Sequence, residues 1–195
     1  LPYETVPTLM FVNKTLLAKE GIALPNPDWN WDTMYSICQK VIRDTNEDGV
    51  IDQFGCYNFG WQNAVYSNNG EIFEPDGKES NFTDEKVTEA IQFTRRLNDL
   101  YQGEKVTQED FNAGHVVFMP LTKTYPYKIK RYANFQWDCI TMPAGYQGGN
   151  LSQVDTLLMG ISSHTKCEQL AWEFLKLLTY DEDIQTEIFR NSQGA

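Results

Sequence analysis

Trp29-Asn30-Trp31-Asp32-Thr33-Met34-Tyr35-Ser36-Ile37-Cys38-Gln39-Lys40-Val41 is followed, after two residues, by Asp44-Thr45-Asn46-Glu47-Asp48-Gly49-Val50-Ile51-Asp52 and then Gln53-Phe54-Gly55. Asn30 can cap a helix whose first turn holds Asp32, where a negative charge meets the positive helix end. Trp31, Met34, Cys38 and Val41 recur at helical spacing, so one face of that helix is buried. The acidic run is a turn, and Phe54–Phe59 after it reads as a strand. One stretch therefore contains a helix, a tight polar loop and a strand.

The loop also has the oxygen pattern that wraps a hard cation. Counted from Asp44, side-chain oxygens stand at positions one, three and five (Asp44, Asn46, Asp48), and Gly49 at six permits a sharp turn. Val50 offers its carbonyl at seven, and Asp52 coordinates at nine directly or through water. Position twelve is Gly55, where an EF-hand needs a bidentate Glu, so the loop is at best a variant closed by Asp52. A structural Ca2+ on Asp44, Asn46, Asp48, Val50 and Asp52 is one expectation. A solvated Asp/Asn/Gly turn is the other.

With 195 residues, 41% of them hydrophobic, the chain can bury a sizeable core. A net charge of −11 and a pI near 4.6 disfavour nucleic acid and anionic membrane surfaces, which need basic patches. No apolar run approaches a membrane span. The chain begins on Leu1 with no initiator Met, and it reads as a piece of something longer, so a missing signal peptide says nothing of compartment. Cys38, Cys56, Cys139 and Cys167 form no close pair, which leaves zinc and CxxC redox chemistry without a motif; they are expected as small buried hydrophobes, with disulfides the alternative in an exported protein.

Along the chain, Thr8–Val12 reads as a strand and Lys14–Glu20 as a helix capped by Asn13 and closed by Gly21. Trp61 opens a short helix that Asn68-Asn69-Gly70 ends, and Glu71–Phe73 reads as a brief strand. Thr83 is expected to cap a strong helix with the buried stripe Val87, Ala90, Ile91, Thr94, Leu97 and Tyr101. Strands follow at 115–119, 135–141 and 156–161. Helices are expected at Tyr125–Tyr132, at Lys166–Thr179 with Leu170, Ala171, Phe174, Leu175 and Leu178 inward, and at Asp181–Arg190. Trp29, Trp31, Trp137 and Trp172 are expected in the core. The alternation of strands and helices makes the class α/β.

Four segments together resemble the maltose-binding-protein-like extracellular solute-binding proteins of ABC importers. They are Leu9–Leu17 followed by Gly21, then Trp29–Asp32 leading through Asp44 to Gly55. The third is Phe111–Met119 with Trp137-Asp138 and Met142-Pro143, and the fourth is Ala171–Thr179. The resemblance implies one lobe of a type II periplasmic-binding-protein-like clamp that closes on a solute. It divides the chain into a hinge-entry strand over 1–13, a second lobe over 14–148, and a segment over 149–195 that crosses back toward a first lobe preceding Leu1. It further implies a carbohydrate solute, an ABC permease as partner, and an extracellular or periplasmic place, with a lipid anchor outside this stretch. No catalysis is implied.

Sugars are held by aromatic faces on C–H patches and by planar polar side chains on hydroxyls. Trp61 with Gln62 fits that chemistry. The resemblance adds Tyr125, which stands in Lys123-Thr124-Tyr125 where the family has Gly-Ser-Trp, and it adds Tyr3, Glu4 and Asp155 as cleft-entry residues. The rivals are a fragment of a carbohydrate-active enzyme and a calcium-stiffened extracellular binding module. No carboxylate pair, GxSxG, P-loop or Cys/His constellation marks the first, and the α/β alternation does not fit the second.

Overall fold

A computed structural model describes residues 1–122 and 134–191. Its axis is β1 (Pro2–Asn13), which serves two sheets in succession. Over Thr8–Val12 it pairs antiparallel with β3 (Val116–Thr122), and over Met10–Asn13 with β4 (Trp137–Ile140) on its other edge. β2 (Phe54–Cys56) lies parallel to β3, giving the order β2-β3-β1-β4. The first half of β1, Pro2–Pro7, leaves these partners and pairs antiparallel with β5 (Val154–Leu158). The switch falls at Pro7–Thr8: the Thr8 amide donates to the Gln153 carbonyl at 2.9 Å, and the Ser152 hydroxyl donates to the Thr8 carbonyl.

Alternation along β1 sends Met10 and Val12 to one face and Phe11 to the other. The first face is covered by α1 (Lys14–Lys19), α2 (Trp31–Val41), α3 (Trp61–Ser67) and α4 (Glu85–Asp99). The second holds Phe54, Phe111, Val116 and Met119, with α5 (Gln108–Asn112) packed there. α6 (Glu168–Tyr180) and α7 (Glu182–Asn191) follow β5.

Local chemistry explains the boundaries. Asn13 and Asn30 cap α1 and α2, accepting from Leu16 N–H at 2.9 Å and Thr33 N–H at 3.0 Å. Gly21 stops α1 with φ 66°, a left-handed conformation that glycine enters without strain. Trp31 is fully buried, stacked on Phe93 at 4.5 Å, and its indole N–H donates to the Ser67 hydroxyl at 3.2 Å. The Trp29 indole N–H donates to the Thr141 carbonyl, which ties α2's entry to the segment after β4.

Several expectations need correction. β2 stops at Cys56, because the chain turns at Asn58 with φ 64°. Glu71–Phe73 forms no strand, only a single bridge from Phe73 to Ser80. Asp84, not Thr83, caps α4, accepting from Lys86 N–H at 2.9 Å. Within α4 the buried ring is Phe93, while Ile91 faces outward. Trp172 is exposed and Trp137 half-buried. Cys38 and Cys56 are buried, but Cys139 is half-buried and Cys167 exposed, all as free thiols. The helix expected at Tyr125–Tyr132 lies outside the described residues.

Candidate functional site

β2 and β3 run parallel and both point their carboxyl ends toward Thr8, where β1 changes sheets. Ligands of α/β sheets bind beyond the carboxyl ends of strands, so this is the end of the molecule to inspect. Tyr57–Gly60 lead from β2 into α3, and Asn58 Nδ2 donates to the Pro120 carbonyl of β3 at 3.4 Å. Gly60 occupies the N-cap, which sets Trp61 and Gln62 in the first turn of α3. Trp61 is half-buried against the core, with its ring 5.5 Å from that of Phe82; Gln62 is exposed. Tyr125 lies outside the described residues, in the segment that follows β3.

The other three candidates sit on the far side of the switch. Glu4 pairs with Leu157 and Asp155 with Val6, so Glu4 and Asp155 share one face of the β1–β5 ribbon. Tyr3 stands at the bulge between Pro2 and Glu4. Asp155 accepts from Gln153 Nε2 at 2.8 Å. The structure therefore sets Glu4 and Asp155 on one face of the ribbon, and it places Trp61 and Gln62 on the other sheet's side of Thr8.

In the acidic loop, the side-chain oxygens accept the loop's own amides. Asp44 takes N–H from Asn46, Asp48 and Gly49 at 3.2, 3.3 and 2.7 Å. Asn46 Oδ1 takes Asp48 N–H, and Asp48 Oδ1 takes Val50 N–H. Asp52 is turned to Thr45, accepting from its amide at 2.8 Å and its hydroxyl at 2.7 Å. These two donors hold the Asp52 carboxyl below the usual aspartate range. Among the described residues, no three His, Cys, Asp or Glu side chains converge on one point. Gly55, at the loop's twelfth position, lies against α2: a Cβ there would stand 2.5 Å from the Cys38 Cα. The Glu of an EF-hand has no room at this place.

Burial pushes Cys38 and Cys56 well up, and burial with the neighbouring Asp138 charge pushes Cys139 up to about 11. Tyr101, missed as a site-shaping residue, holds the end of β2: its hydroxyl donates to the Cys56 carbonyl at 2.6 Å and accepts from the Cys56 amide at 3.0 Å.

From β5 onward several large apolar side chains are exposed. Leu158 is 74% exposed, Leu170 69% and Phe174 57%; in α6 only Leu175 is buried. Of the expected inward stripe, Leu175 is buried and Ala171 and Leu178 are half-buried, while Leu170 and Phe174 are left uncovered among the described residues.

Residues 1–184 match the model of the bacterial extracellular solute-binding protein family, and the chain belongs to that family. No curated protein sequence matches it. Among solved structures, it is similar to an ABC substrate-binding protein from Listeria monocytogenes in complex with cycloalternan, with TM-score 0.80 and 17% identity over 100% of this chain and 51% of that one. It is also similar to a solute-binding protein from Thermotoga lettingae bound with α-D-tagatose, at TM-score 0.77 and 16% identity over 100% of this chain and 53% of that one. A maltose/maltodextrin-binding domain from Bdellovibrio bacteriovorus bound to maltotriose gives 0.70 and 17%, over 100% and 53%. The shared fold is that of two-lobed, type II periplasmic-binding-protein-like molecules, and this chain spans about half the length of those it matches.

Proposed function

We propose that the chain is the second lobe and hinge of a solute-binding component of an ABC importer, non-catalytic, taking a sugar, oligosaccharide or polyol between two lobes. The observation that carries this reading is β1. One strand first supplies a ribbon, followed by a helix α6 whose Leu170 and Phe174 are uncovered among the described residues, and from Thr8 onward a sheet with a finished core. A first lobe, carried by sequence outside these residues, covers that face of α6 and completes the cleft at the carboxyl ends of β2 and β3. The bound solutes of the similar structures support the ligand class. Trp61, Gln62 and Tyr125 then face the solute from this lobe, and Tyr3, Glu4 and Asp155 from the hinge. The protein works outside the cytoplasm, with a permease as its membrane partner and a lipid anchor as its tether. Thermal unfolding of a longer chain with both lobes tests this: maltotriose or another solute raises its midpoint, because it binds only the folded, closed state. No shift with any of a panel of saccharides and polyols removes the carbohydrate reading.

The acidic loop is proposed to take a structural calcium ion. Its support is the oxygen spacing together with the lone pairs that carboxylates retain after accepting amides. Asp44, Asn46, Asp48 and the Val50 carbonyl would bind directly and Asp52 through water. Calcium in excess over EDTA then raises the unfolding midpoint of wild type and not of Asp48→Ala. Equal midpoints with calcium and with EDTA dispose of the ion.

A further inference from the structure

We propose that the groove between the start of α3 and the outer face of α4 is a sugar-ring subsite contained wholly within this lobe, so that the recognised carbohydrate is an oligosaccharide whose chain runs out of the cleft. This rests on the carbohydrate reading above and extends it.

The groove has a volume of about 550 Å3 and is lined by Trp61, Phe82, Ile91, Arg95, Asn98 and Asp99, with Thr94 at its floor. Two aromatic rings form one wall, 5.5 Å apart and inclined at 53°. Phe82 is 43% exposed and Ile91 37%, so apolar surface that could have been buried faces this space. A pyranose ring presents C–H patches to such a wall.

The rest of the lining includes polar side chains for which, among the described residues, no hydrogen bond or ion pair is made. Arg95, Asn98 and Asp99 are exposed on consecutive turns of α4. Arg95 and Asp99 stand four residues apart, the spacing at which a helix ordinarily pairs opposite charges, yet the ion pairs among the described residues do not include them. A guanidinium that only donates, a carboxylate that only accepts, and an amide that does both are therefore free to meet neighbouring hydroxyls of one ring. Aromatic rings together with planar polar groups in one groove are the composition of a sugar subsite. Trp61 joins the groove to the cleft, since it also opens α3 at the end of the Tyr57–Gly60 turn that follows the carboxyl end of β2.

The test is a backbone and indole 1H–15N titration of this chain with maltotriose, mannotriose and D-mannitol. The trisaccharides shift the Trp61 indole and the Arg95, Asn98 and Asp99 amides, while the open-chain polyol, which has no ring to stack, leaves them in place. Phe82→Ala weakens the trisaccharide response about fivefold, the scale of one aromatic contact. Arg95→Ala weakens it as well, and both exposed sites leave the spectrum otherwise folded. Shifts confined to Tyr3, Glu4 and Asp155 overturn the groove and leave the proposed function standing. Silence from this chain, with binding by a longer two-lobed chain, has the same meaning. Silence from both overturns the groove and the carbohydrate reading together.

Discussion

At Gly55 the backbone of β2 passes over Cys38 so closely that any side chain meets helix backbone, which cannot swing aside. Gly55→Ala therefore forces α2 and β2 apart. The expected loss is about 1–3 kcal/mol, the usual cost of overpacking a filled core, read from the urea midpoint. An unchanged midpoint would show that α2 is free to shift. Asp52 gives a prediction in pH. Its folded pKa lies below its unfolded value of about 3.9, because Thr45 donates twice to the carboxylate. The contribution is present in full above the unfolded value and is lost as pH falls through the lower folded one. Removing the hydroxyl with Thr45→Val thus costs stability at pH 6 and progressively less toward pH 3. A penalty constant across that range would mean the hydroxyl acts only by packing. The caps at Asn13 and Asn30 were legible from sequence because they depend on neighbours within four residues. The crowding at Gly55 was not, since it depends on a helix and a strand meeting across the fold.

At the scale of the element, periodicity located the helices well but could not say what covers them. In α2 the stripe of Trp31, Met34, Cys38 and Val41 is buried as its spacing implies. α6 has an equally clear stripe, and Leu170 and Phe174 lie in solvent. An amphipathic pattern reports that a face is apolar; the partner is a property of the assembly. In α4 the same limit put Ile91 inside and left out Phe93, which stacks on Trp31. This hid the groove that Ile91, Arg95 and Asn98 line together at spacings of three and four. α6 supplies the prediction for this scale. Phe174→Glu in this chain shifts the urea midpoint by less than about 0.5 kcal/mol, as exposed sites do. In a chain carrying the first lobe, the same change puts an unpaired charge into an apolar interface and costs several times more. Equal effects in the two chains would mean that the face stays uncovered.

For the whole molecule, the question is what β1 and β5 allow. β1 runs through the Pro7–Thr8 boundary, while β5 begins beside it at Val154, where the Thr8 amide donates to the Gln153 carbonyl and the Ser152 hydroxyl to the Thr8 carbonyl. Two adjacent antiparallel strands resist being pulled apart, because separation breaks their ladder. Bending at Pro7–Thr8, where the β1–β5 ladder ends and the β1–β3 ladder begins, leaves both ladders nearly whole, which suits the hinge proposed above. Pro7 fits that place: it donates no hydrogen bond, and the β3 pairing begins only at Thr8. A solute that contacts both sides of the boundary favours the closed state by the difference of its affinities for the two states, and by nothing else. In a two-lobed chain, saturating oligosaccharide is therefore expected to lower the radius of gyration measured by small-angle X-ray scattering. Ser152→Ala loosens the boundary without touching the solute-facing residues named above, so its effect is on the open–closed balance. The expected result is a changed apparent affinity with an unchanged scattering curve in the saturated state. A changed saturated curve would place Ser152 in the closed interface itself. Identical curves with and without saturating solute would show that the strands form a rigid strut and that the cleft is preformed.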